Sequence, residues 1–111
     1  MTKADRWLRK IFNNLNHGFF DHRIPNSTTV RFVRMKDDGQ TQSAGGVCDI
    51  RIHKDLIKHP DLATLVLLHE MVHADLRTAG YIGYDHLEGH STLFHAGIHK
   101  LWNLGAFETL L

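Results

Sequence analysis

The chain has little cysteine, little proline and no dominant sign of charge. Cys48 is its one cysteine in 111 residues. That excludes an internal disulfide and a cysteine-based zinc ribbon, and it suits a reducing compartment. The two prolines, Pro25 and Pro60, fall at a turn and at a plausible helix start. Lysine and arginine number 13 against 12 aspartate and glutamate, and the signs are interspersed, which does not mark a dedicated nucleic-acid binder. No apolar run reaches transmembrane length. The opening MTKADRWLRKIFNNLN lacks the continuous apolar core of a signal peptide. A cytoplasmic protein, monomeric and independent of membranes, is expected. There is no internal repeat, low-complexity tract or long linker, and the length suits a single domain over 1–111.

What the chain does have is histidine, ten in all. Two of them stand in PDLATLVLLHEMVHADLRTAG, residues 60–80, as His69-Glu70-Met71-Val72-His73. Side chains four apart on a helix are separated by about 400° of rotation and about 6 Å of rise. His69 and His73 therefore project from one face and can grip one metal ion. Glu70 is the next residue round, so its carboxylate can reach a water on that metal. The flanks favour a helix, with Pro60 as a first helical residue and Gly80 as a stop.

Elsewhere the pattern reads as an α+β domain with a small sheet. Trp7, Leu8, Ile11, Phe12, Leu15, Phe19 and Phe20 mark one face of an amphipathic helix from about Asp5 to Phe20. Thr28 to Met35 alternates as a strand, with Arg31 opposite Val30 and Phe32. Lys36 to Gly39 reads as a turn. Ser43 to Cys48 and Asp49 to His53 suggest two short strands or one bent one, with Gly45-Gly46 a bulge or a close-packing point. Lys54 to Lys58 suggests a helical turn. The helix from Pro60 is apolar nearly all round, through Leu62, Ala63, Leu65, Val66, Leu67, Leu68, Met71 and Val72, and is expected to be the buried core. A last helix runs from Ser91 to Leu104, with Phe94, Ile98, Leu101 and Trp102 on one stripe.

Catalytic zinc needs three protein ligands and an open position. The candidate third ligand is His90, in Glu88-Gly89-His90, with His86 and Glu88 as alternatives. A metzincin would place histidine at position 79, which is Ala79. A gluzincin-type carboxylate ligand would fall on Glu88 or Glu108. On a helix that includes His90, His95 and His99 lie about 140° and 180° away round it, so they are not expected to share its metal. A zinc ion so held lowers the pKa of its water. Glu70 then acts as general base towards the peptide bond. Asp75, Asp85 and Glu88 are candidates to orient the histidines.

The run Leu65-Val66-Leu67-Leu68-His69-Glu70-Met71-Val72-His73-Ala74, then Glu88-Gly89-His90 with Phe94 four on, resembles the SprT-like metallopeptidase family, to which Spartan belongs. Leu15-Asn16 with Phe19-Phe20, Ala44-Gly45-Gly46-Val47-Cys48 and Ile50-Arg51-Ile52 are similar too. The resemblance implies a minimal zincin-like domain, zinc ligands His69, His73 and His90, and catalytic Glu70. It also implies proteolysis of DNA-associated or DNA-crosslinked proteins, with single-stranded DNA as a partner. Ser91 stands where family members commonly have glycine.

The alternative is a zinc-stabilised DNA- or protein-binding module with little peptidase activity, for which a carboxylate at Glu70 is not required. A third reading is a peptidase unrelated to DNA. Cys48 reads as a small buried hydrophobe rather than a nucleophile. Arg31, Arg34 and Lys36 read as phosphate contacts or a solvated strand face. Tyr81 and Tyr84 read as base-stacking groups, cleft walls or loop packing. Trp7 and Trp102 read as core or lid packing. Gly45-Gly46 would leave an edge strand open to a substrate backbone.

Overall fold

The computed structural model describes residues 1–80 and 92–105, and of 92–96 the backbone only. Helix α1, Lys3–Phe19, begins where the Thr2 hydroxyl accepts the Asp5 N–H at 3.0 Å, satisfying an otherwise orphan donor. Its buried stripe is Leu8, Phe12 and Asn16. Trp7, Ile11, Leu15 and Phe19 pack half-buried beside the core. Asn16 earns its buried place through its amide, which donates to the Ile24 carbonyl at 2.8 Å and accepts from the Ile24 N–H at 3.3 Å. The chain reverses there through Asp21 and His22, both with positive φ.

Strands β1 (Thr29–Val33), β2 (Gly39–Ala44) and β3 (Val47–His53) form a three-stranded mixed sheet in the order β1-β3-β2. The central β3 runs parallel to β1 and antiparallel to β2. Alternation sends Val30, Ile50 and Ile52 into the core and leaves Arg31, Gln40 and Gln42 exposed, as the period of two requires. The expected turn at Lys36 to Gly39 ends one residue early, because β2 already begins at Gly39. Gly45-Gly46 is neither a bulge nor a close-packing point. It is the two-residue turn of the β2–β3 hairpin, with φ of +59° and +80°, a conformation that favours glycine. A β-carbon at either would meet nothing within 4 Å.

After a 3₁₀ turn at Lys54–Lys58, helix α2 runs from Pro60 to Thr78 with proline in its first turn. It ends as expected: Gly80 takes a φ of +92° and donates its N–H to the Arg77 carbonyl at 3.1 Å. Leu67, Leu68, Met71 and Val72 join Leu8 and Phe12 of α1 and the inner face of the sheet in one core. The helix is less buried than its composition predicts. Leu62 is 50 % exposed, and Leu65 and Val66 are half-buried. These three line a surface groove, and Val66 also packs against the core and against Gly39 of β2.

Helix α3, Thr92–Asn103, packs on α2. Gly97 permits the approach, since a β-carbon there would stand 2.8 Å from Val72 Cγ1. Leu101 is buried and Ile98 half-buried. Trp102 is 59 % exposed, which corrects the core alternative for it: it lies about 100° round the helix from Leu101. Phe94 is among the side chains outside the described residues. No helix among the described residues is long and apolar enough to cross a membrane.

Candidate active site

Helix α2 carries the three residues of the motif. The His69 and His73 rings lie 5.2 Å apart between centroids, edge to face at 64°. His73 is buried, while the His69 side chain is 39 % exposed and borders the groove. The groove measures about 440 Å³ and is lined by Asp38, Gly39, Leu62, Leu65, Val66, His69 and Glu70. Leu62, Leu65 and Val66 give it an aliphatic wall that runs along α2 to the motif.

The Glu70 side chain is buried, and its two oxygens face different groups. Oε2 stands 3.9 Å from His69 Nε2. Oε1 accepts a hydrogen bond from the Thr41 hydroxyl at 2.8 Å. That hydroxyl also lies 3.0 Å from the Glu70 backbone carbonyl. The inner row of β2 meets α2 along its length. Gly39 lies against Val66 and Glu70, Thr41 against Glu70, and Ser43 accepts from Arg77 at 3.4 Å. Sequence reasoning missed Gly39 and Thr41 altogether. The signal was present in the alternation of small residues, Gly39-x-Thr41-x-Ser43, running into a Gly-Gly turn.

Other candidates resolve differently. Asp75, two residues past His73, grips Arg23, which donates from Nε at 3.2 Å and Nη2 at 3.0 Å. That fork-like pairing raises the Arg23 pKa above its ordinary value. Arg31 donates to Asp49 at 3.2 Å on the outer face of the sheet, while Arg34 and Lys36 are exposed. Cys48 is buried, and burial pushes its thiol up against the opposing pull of Arg77 and a Thr78 hydrogen bond. A protonated, enclosed thiol is a packing residue and a poor nucleophile.

The third-ligand candidates His90, His86, Glu88 and Glu108 lie outside the described residues, as do Tyr81, Tyr84 and Asp85. The side chain of His95 does too, and His99 is exposed. Among the described residues no group of three or more metal-binding side chains comes together. The described part of the site therefore offers two imidazoles on one helix face and a carboxylate beside them. That donor chemistry fits zinc, which takes neutral imidazole and keeps a position open in catalytic sites.

The model of the SprT-like family matches residues 8–108. The chain belongs to the SprT-like family. The match runs from α1 through all three strands and beyond α3, so the family's shared region includes the sheet, α2 and the whole groove. Comparison with curated proteins gives no match.

Proposed function

We propose that this SprT-like protein is a zinc-dependent endopeptidase that acts on proteins associated with or crosslinked to DNA. The observation that carries the reading is the disposition of Glu70. It lies beside two histidines of one helix face, with one oxygen tied to Thr41 and the other turned towards His69. His69, His73 and, from the segment after α2, His90 would hold the ion. When bound, zinc supplies a Lewis acid that polarises a carbonyl and acidifies water.

The protein's own residues do the rest. Glu70 takes a proton from the attacking water and returns it to the departing amide nitrogen. Leu62, Leu65 and Val66 give an extended substrate an apolar footing beside the motif. Among the described residues strand β2 pairs with β3 on one side only, and that outer edge would let a peptide add as a further strand. The zincin-like character of the domain follows from the same reading. Its DNA arm rests on family resemblance and predicts that single-stranded DNA stimulates cleavage in a salt-dependent way.

The test is turnover of a DNA-binding protein by the zinc-loaded chain, with and without single-stranded DNA. Cleavage that DNA stimulates supports both arms. Cleavage indifferent to DNA keeps the peptidase and removes the DNA arm. Zinc bound without cleavage favours a zinc-stabilised binding module instead.

A further inference from the structure

We propose that Thr41 is a positioning residue for the general base: its hydroxyl selects which oxygen of Glu70 handles the proton. The inference rests on the peptidase reading and adds to it a residue from outside the helix that carries the motif.

A glutamate side chain has three rotatable bonds, and the last of them is broad and roughly two-fold. Nothing in the motif itself fixes which carboxylate oxygen faces the reaction. The Thr41 hydroxyl has a single hydrogen and two acceptors in reach, Glu70 Oε1 at 2.8 Å and the Glu70 carbonyl at 3.0 Å. The carboxylate oxygen is the nearer of the two, so the hydrogen goes to Oε1. Oε2 is left as the oxygen facing His69 Nε2, 3.9 Å away.

The donor is itself held firmly. Thr41 is buried and sits on β2 opposite Ile50 of the central strand. Its β-branched side chain has one stiff torsion. Gly39, on the same face of β2, completes the setting from the other side. A β-carbon at Gly39 would stand 3.2 Å from Oε2 and 3.1 Å from Glu70 Cγ, so its absence leaves the reactive oxygen room. One strand thus ties down Oε1 and clears space for Oε2. In a buried, low-dielectric setting such a bond is stronger than in water, and small misplacements of a reacting group are costly to rate.

The experiment compares the zinc-loaded full chain with Thr41→Val, Thr41→Ala, Thr41→Ser and Glu70→Gln, on labelled casein as an unstructured protein substrate. Thr41→Val and Thr41→Ala should lower kcat about 10- to 100-fold with KM little changed, because substrate contacts are untouched. Thr41→Ser, which restores the hydroxyl, should recover most of the rate. A crystal structure of whichever hydroxyl-free variant folds should show the Glu70 carboxylate rotated from its wild-type position. Wild-type kcat in the hydroxyl-free variants, no recovery in Thr41→Ser, or an unmoved Glu70 carboxylate would each overturn the inference. An active wild type with equally active Thr41 variants defeats this inference alone. A wild type without turnover defeats the peptidase reading, and this inference with it.

Discussion

Gly39 of β2 lies so close to Val66 of α2 that a β-carbon added to it would stand 2.6 Å from Val66 Cγ1. Real carbon atoms do not approach so closely, and Val66 cannot step aside by a simple change of a flexible tip, because its side chain branches at Cβ. Gly39→Ala should therefore force β2 and α2 apart. The expected loss is about 1–3 kcal/mol of stability, as for overpacking elsewhere, read as a lower urea midpoint. Gly39→Ala should also cost more than Gly18→Ala, where nothing lies within 4 Å.

Asn16 supports the other end of the core. Its buried amide pairs with both backbone groups of Ile24, which stands where the chain turns from α1 towards β1. Asn16→Ala strands a buried N–H and a buried carbonyl together. Two such groups cost about 2–3 kcal/mol, and thermal unfolding followed by circular dichroism should show the midpoint fall accordingly. Asn16→Asp supplies an acceptor but no donor, and should recover only part of the loss.

The two main helices were legible in the sequence: α1 through the apolar periodicity that includes Leu8 and Phe12, α2 through a long apolar run between Pro60 and Gly80. Strand β2 was only half legible. Gly39-Gln40-Thr41-Gln42 carries no apolar alternation, since its inner face meets the polar side chains of Glu70 and Arg77 in addition to Val66. A strand that docks on polar groups looks like a loop. Composition also overstated the burial of α2. Leu62 is apolar and exposed, and a groove wall and a core layer are written in the same residues. Of the site, the motif showed the helix and its spacing. The hydroxyl that holds Glu70 is remote in sequence, and its one trace there was the small-residue alternation Gly39-x-Thr41-x-Ser43.

Asp49 on the outer face of the sheet gives a pH-dependent prediction. Burial alone would raise its pKa, but hydrogen bonds from Thr29, Arg51 and Arg31 outweigh burial and hold it below the ordinary carboxylate value. A depressed folded pKa adds stability above the unfolded value of about 3.9. That stability is lost as the pH falls through the folded pKa. Asp49→Asn should thus be less stable than wild type at neutral pH by about 1 kcal/mol, a modest figure because the partners are partly exposed. The gap should close below about pH 4. Urea denaturation across that range checks it.

Zinc content separates the ligand candidates. His69→Ala, His73→Ala and His90→Ala should each lower metal affinity steeply, since three protein ligands are the minimum for a catalytic zinc site. His86→Ala and Glu88→Gln should leave one zinc per chain. Equilibrium dialysis against a competing chelator gives the order directly. Full zinc binding by His90→Ala, with loss in His86→Ala or Glu88→Gln, would reassign the third ligand.

The central claim is that Glu70 serves as base in a zinc-dependent peptidase. The most direct measurement is cleavage of a DNA-binding protein by zinc-loaded wild type and Glu70→Gln at equal zinc content. Wild-type turnover with a loss of about 10²–10⁴ in Glu70→Gln, at unchanged zinc stoichiometry, is the predicted result. Equal turnover by the two proteins would contradict the account.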